Sequence, residues 1–443
     1  MHREMLRDFG LAMPEILLPA SGIDRKKWAV IACDQFTQDA KYWEAANAIV
    51  GDAPSTLRLI FPEIYLEEPD KRERIERIHG AMRTYLEQGV FAPPVETFIY
   101  VERTTPFGAP FDVRRGLVAS IDLEQYEWRQ GEKALIKTTE GTAPERLPPR
   151  VDVRRGAPLE IPHVLLLIND KADALLPALG ERAKAASPLY HTELMLDSGS
   201  VTGWAVNTEE DVSLFLQNLE TLASTGLNGC EDEKPFLFAV GDGNHSLAAA
   251  KSVWEEYKAS HAGERGIERH PARYAMVEIE NLYDAAIHFA PIHRVLFGDH
   301  VNGLLETLST LPDAAVTRIG GEKELSSLTI AFSGKNRLGL VLDNGFYLIE
   351  FADCGLAVAL LQPLLDRFVK ETGSSIDYVH GEDAVFHAVR RSDRHGAGIL
   401  LPPIQKSGFF ETISRLGALP RKSFSMGESS EKRFYFECRS LEA

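Results

Sequence analysis

The apolar run Phe236-Leu-Phe-Ala-Val240 stops at Gly241-Asp242-Gly243-Asn244-His245-Ser246, and an alanine-rich helical pattern starts at once. Leu247, Ala250, Trp254 and Tyr257 recur there at helical spacing, opposite Lys251, Glu255 and Lys258. Strand, polar turn and helix in that order constrain the fold more than any other segment. A helix that begins at such a turn presents unpaired backbone N–H groups and a partial positive charge. Phosphate suits that place, and the glycines Gly241 and Gly243 allow close approach to the backbone. Asn244 and Ser246 add side-chain hydrogen-bonding groups. Asp242 could hold Mg²⁺, and His245 could donate to a phosphoryl oxygen or shuttle a proton. Helix capping by Asp242, Asn244 or Ser246 accounts for the same residues without a ligand.

Around this unit, strands alternate with helices. An apolar run at 28–33 reads as a buried strand that opens into a turn at Asp34, with a helix over 38–50. Residues 69–88 carry Ile75, Ile78, Met82 and Tyr85 at helical spacing, and their charges read as a solvated face. Strands are expected at 98–101, 116–122 and 163–168, the last unbroken enough in its apolar character to be buried on both faces. Residues 137–150 read as a loop by their Gly and Pro content, yet they hold Glu140, Glu145, Arg146 and Arg150. Beyond 298 the pattern changes to a helix near 301–311, strands at 328–332, 338–342 and 345–350, and a helix over 355–372. Turn signals at Ser333-Gly334 and Asp343-Asn344-Gly345 make those strands an antiparallel sheet. The alternation in residues 433–438 says strand. Two domains are expected: 1–298, an α/β domain bearing the turn, and 299–443, a smaller α+β domain.

Charge and cysteines narrow the function classes. The formal net charge of −17 would repel a nucleic-acid backbone. The cysteines Cys33, Cys230, Cys354 and Cys438 lie far apart, without a C-x-x-C pair or zinc spacing, which fits reduced thiols and a cytoplasmic location. No apolar run approaches the roughly 20 residues of a membrane span, and the first ten residues do not build a signal sequence, so neither export nor membrane insertion is expected. Neither a G-x-x-x-x-G-K-[ST] loop, an H-E-x-x-H helix nor a G-x-S-x-G elbow occurs, and the glycines of the turn make only a weak dinucleotide signal.

The turn Asp242-Gly-Asn-His-Ser246 with its alanine-rich helix resembles the Asp-Gly-His-His-Arg turn of domain-of-unknown-function family 1015. Further matches are Thr139-Glu-Gly-Thr142 with Arg146-Leu-Pro-Pro-Arg150, Pro291-Ile-His-Arg294, Leu400-Leu-Pro-Pro403 and Pro420-Arg-Lys-Ser-Phe-Ser-Met-Gly427. At Asn244 and Ser246 the chain departs from the commoner His and Arg. That family is described as similar to ParB proteins. More distantly, the turn resembles the nucleotide-binding motif of the ParB and sulfiredoxin superfamily, which includes kinases of free serine. The resemblance implies a ParB/sulfiredoxin-like mixed sheet, a bound nucleotide and Mg²⁺, with Asp242, Gly243, Asn244 and His245 holding metal and phosphates. Sulfiredoxins place a Cys in the turn, and this chain has none there. ParB proteins need a DNA-binding helical region, which neither charge nor pattern supplies.

The leading expectation is a nucleotide-dependent phosphotransferase acting on a small hydroxyl metabolite such as serine, with a homodimer as a further possibility. Asp34, at the end of its own strand, is the expected base because strand ends on one sheet edge converge on a crevice, and Glu140 is the substitute. Arg146, Arg150, His293 and Arg294 are candidates to neutralise phosphate or a substrate carboxylate. Lys422, Ser423 and Ser425 form a donor-rich segment that could close over a ligand. Surface ion pairing, a locked seam at His293-Arg294 and an edge strand explain these residues equally well. The alternatives are a non-catalytic nucleotide-binding regulatory protein and a metal-dependent phosphatase or hydrolase.

Overall fold

The computed structural model describes residues 2–105, 113–129, 134–224, 236–331, 334–352, 355–391, 395–427 and 429–442. Cys230, Cys354, Phe332 and Ser333 lie outside them. The chain divides into two compact units, residues 1–287 with 428–443, and residues 288–427. Sequence placed all of 299–443 in one domain; the contacts instead return the last sixteen residues to the first unit. The reason is a set of side chains, Lys432, Arg433, Tyr435 and Arg439, that find their partners there.

The first unit is mixed α/β. Its large sheet runs in the order Tyr190–Glu193, Ser200–Val206, Phe98–Thr104, Val113–Asp122, Tyr274–Asn281, Leu165–Ile168, Phe238–Asp242, Ile136–Thr138 and Tyr126–Glu127. Leu165–Ile168 is central and buried at every position, as its unbroken apolar run requires. It runs parallel to Tyr274–Asn281 and antiparallel to Phe238–Asp242, which in turn runs parallel to Ile136–Thr138. The helix Asn244–Ser260 buries Leu247, Ala250 and Trp254, and its Ala248 and Ala249 pack on Leu147 and Val151. Small side chains allow that close approach. Lys251, expected on the polar face, is buried and donates to the Leu123 carbonyl at 2.8 Å.

Three local expectations change. Residues 28–33 are not one strand: Asp24 accepts from the amides of Lys26 and Lys27 and starts the short helix Arg25–Trp28, leaving only Val30–Ile31 extended. That strand joins Phe434–Tyr435 and stays off the large sheet, so Asp34 does not lie at the sheet edge imagined for it. The loop over 137–150 ends as the helix Leu147–Arg154, whose prolines occupy its first turn, where no amide partner is lost.

The second unit is a mainly antiparallel sheet in the order Ala315–Ile319, Gly345–Phe351, Asn336–Leu342, Gly396–Leu400, Phe289–Phe297 and Ser375–His380, with Phe424–Met426 added to Phe289–Phe297. The expected hairpin over 338–350 is present. The expected strand at 328–332 is instead the end of the helix Glu322–Ile330, where Leu325 is buried and the Thr329 hydroxyl bonds back to the Leu325 carbonyl. The strand Ala315–Ile319 escaped sequence reading, because four of its five residues are exposed and give no apolar signal. The long helix Ala357–Thr372 covers the sheet with Leu361 and Leu365.

Candidate functional site

Gly243 stands between strand and helix at φ 79° and ψ 25°, in the left-handed region that favours glycine. A Cβ there would meet Val164 Cα and Cγ2 at 3.1 Å, so the backbone turn presses directly on the neighbouring strand. No side chain caps the helix that follows. Asp242 bonds the Gly243 amide at 2.9 Å instead. The Asn244 carboxamide oxygen accepts from the Thr138 hydroxyl at 2.5 Å and the Thr139 amide at 3.3 Å, which ties the 137–143 segment across the turn. His245 Nε2 accepts from the Ala143 amide at 3.4 Å. Each proposed cap therefore serves another partner, and the first-turn amides keep their dipole for an approaching anion.

The Lys432 ammonium lies 3.0 Å from Asp242 Oδ2, with the two side chains 8% and 24% exposed. Burial by itself pushes the Asp242 carboxyl up; Lys432, the nearby His163 and the Gly243 amide outweigh it and hold the carboxyl below its ordinary value. Both carboxylate oxygens are thus engaged. Among the described residues no group of three or more His, Cys, Asp or Glu side chains is arranged to hold a metal ion. The carboxylate expected to bind Mg²⁺ does not fit that role while Lys432 and the Gly243 amide occupy its two oxygens.

Behind the turn lies a chain of hydroxyl and imidazole contacts. Ser246 Oγ sits 3.0 Å from His163 Nε2, Tyr435 Oη sits 2.8 Å from His163 Nδ1, and Asp34 Oδ2 lies 3.7 Å from the same Nε2. The Cys33 amide donates to Tyr435 Oη at 3.1 Å. Burial raises the Tyr435 phenol well above its ordinary value, so it keeps its proton as a donor to Nδ1. A ring that accepts there from Tyr435 presents Nε2–H toward Ser246 and Asp34. This is not a Ser-His-Asp triad, since the carboxylate and the serine share one nitrogen and the ring does not remove the serine's proton.

These groups flank a cavity with about 140 Å³ of free space. Cys33, Glu63, Arg150, His163, Ser246 and Tyr435 are its polar lining near the turn. Arg150 pairs with Glu63 and donates to the Arg146 carbonyl, but its buried Nε has no hydrogen-bond partner. Burial raises the Glu63 carboxyl; Arg150 opposes that, Asp34 reinforces it, and the net value stays above the ordinary one.

Of the residues singled out by sequence, Arg150 and Ser246 line this cavity, Asp34 lies 3.7 Å from His163 in its wall, and Asp242, Asn244 and His245 sit in the adjoining turn. Gly241 is the second-to-last residue of the strand Phe238–Asp242, and the Glu140 carbonyl accepts from Thr138 on the segment tied to Asn244. Arg146 is exposed. The remaining candidates belong to the second unit. There His293 Nδ1 accepts from the Leu401 amide at 3.1 Å, and Arg294 bonds Gln362 and stacks 4.6 Å over Tyr378. Lys422 is exposed, Ser423 donates to the Pro420 carbonyl at 2.5 Å, and Ser425 donates to the Gly427 carbonyl. Sequence reading passed over Glu63, His163, Lys432 and Tyr435. His163 directly after Pro162, at the head of an apolar strand, was the available signal; nothing local marks the other three.

The fold and the turn define a mixed α/β protein with a Gly-bearing strand-to-helix turn beside a cavity. The chain belongs to the family of proteins of unknown function DUF1015, whose model matches residues 17–369. None of the curated proteins matches it. Among solved structures it is similar to a conserved hypothetical protein from Pyrococcus furiosus, with TM-score 0.36 and 11% identity over 73% of this chain and 95% of the other. A free serine kinase in complex with AMP gives TM-score 0.38 and 11% identity over 73% and 92%. SbnI with a C-terminal truncation, from Staphylococcus aureus, gives 0.35 and 8% over 70% and 83%. No helix among the described residues is long and apolar enough to cross a membrane.

Proposed function

We propose that the first unit is a nucleotide-dependent phosphotransferase that moves a phosphoryl group to the hydroxyl of a small metabolite such as serine, working in the cytoplasm. One observation carries the reading: an uncapped helix head, with Lys432 paired to Asp242 just before it, adjoins a cavity lined by Ser246 and His163, and the Asp34 carboxylate lies 3.7 Å from His163 Nε2. The sequence resemblance of the turn to nucleotide-binding motifs of the ParB and sulfiredoxin superfamily points the same way. Phosphoryl transfer asks chiefly for positioning and charge neutralisation. Helix amides and Lys432 supply the positive field, and His163 Nε2–H supplies a donor to a phosphoryl oxygen. Asp34 takes the proton as the acceptor hydroxyl attacks the terminal phosphorus and the bond to the nucleoside diphosphate breaks.

The test follows phosphorus by NMR with ATP, Mg²⁺ and a panel of hydroxy metabolites that includes serine. A phosphorylated metabolite is expected, and Asp34→Asn should abolish it while ADP still binds. Nucleotide binding without any product would make the protein a regulatory binder, and release of inorganic phosphate alone would make it a hydrolase. Lys432→Met should weaken ADP by about tenfold or more, the worth of one hydrogen bond to a charged group. Unchanged ADP affinity in that variant would remove Lys432 from the site.

A further inference from the structure

The cavity beside the turn is walled mostly by apolar side chains, among them Leu59, Phe61, Leu66, Met82 and Val153. Serine has nothing to place against them. A cavity of about this volume lined by such residues is large enough to take a benzene ring. Two ion pairs are set in the wall, and they differ in how fully they are used. Glu160 accepts from Arg154, Arg439 and the Met276 amide, which satisfies it. Arg150 spends its terminal nitrogens on Glu63 and the Arg146 carbonyl and leaves Nε buried without a partner. An unmet donor of that kind is costly unless something accepts from it.

Resting on the phosphotransfer reading, we propose that the acceptor is a hydroxy carboxylate with an apolar body of about ring size. Its apolar part fills this cavity, its carboxylate accepts from Arg150 Nε, and its hydroxyl faces His163, with Asp34 3.7 Å from that ring. Charged walls suit a carboxylate better than the neutral donor and acceptor edge of a nucleobase.

Calorimetry on the full chain, without nucleotide, compares phenyllactate with lactate, which differ only by the ring. Phenyllactate should bind at least about tenfold tighter, the gain expected from burying a ring. Arg150→Lys, which keeps the charge and removes Nε, should weaken phenyllactate by about tenfold. Leu66→Trp, which fills the cavity from a half-buried position, should erase the ring's advantage and leave ADP affinity intact. Equal affinity for phenyllactate and lactate would overturn the proposal, as would displacement of phenyllactate by adenosine, which would give the cavity to the nucleobase. ADP is titrated into the same samples. Phenyllactate binding without ADP binding would sink the phosphotransfer reading and keep the cavity's ligand class, whereas ADP binding with no ring preference would do the reverse.

Discussion

Two buried histidines, one in each unit, show how little burial says about role. His163 and His293 are 8% and 2% exposed, and both lie within apolar runs. His163 has a hydroxyl at each ring nitrogen and a carboxylate 3.7 Å from Nε2, on the wall of a cavity. His293 accepts one backbone amide, and burial together with Arg294 and His380 pushes its value down to about 4. The first ring is held between hydroxyl and carboxylate groups beside open space. The second is kept neutral by the absence of a favourable charge and serves the sheet. Partners, and not depth, separate a chemical histidine from a structural one.

The contrast can be broken most directly at His163. His163→Gln should lower phosphotransfer by about a hundredfold or more, the usual worth of a positioned donor, as read from product formation by phosphorus NMR. A comparable loss in His293→Gln would erase the distinction. The next effect concerns stability. The native value of His293 is depressed from 6.5 to about 4, so its contribution is fully present above 6.5 and is lost as pH falls through about 4. Urea unfolding at a series of pH values should therefore show a decline on the order of 3 kcal/mol across that window. Gln at 293 still offers an acceptor to the Leu401 amide, and that variant should flatten this part of the profile; an unchanged slope would mean that another group titrates. Smallest is Gly243→Ala, which forces a Cβ into the left-handed region and onto Val164. It should cost about 1–2 kcal/mol in urea unfolding, and a neutral result would show that the turn relaxes.

Much of the site could be read from the chain because its core is local. Strand, Gly-bearing turn and helix are consecutive, so Asp242, Asn244, His245 and Ser246 could be picked out by pattern alone. Asp34 and Arg150 came from strand-end and loop arguments; the structure sets Arg150 in the cavity wall and Asp34 3.7 Å from His163 of that wall, even though Val30–Ile31 lies off the main sheet. Their partners were invisible for a physical reason. Lys432 and Tyr435 are separated from the turn by the whole second unit, and the pairing of distant residues leaves no periodicity to detect.

Sequence by itself determined the turn, the helix that follows it, the buried central strand and the hairpin of the second unit, since each follows from spacing of apolar residues and from turn chemistry. Tertiary structure decided which carboxylate received a lysine, which histidine received hydroxyls, and that the final residues return to the first unit. Those outcomes depend on contacts between segments far apart in the chain, where burial makes every unpaired polar group costly and so selects the arrangement that satisfies most of them.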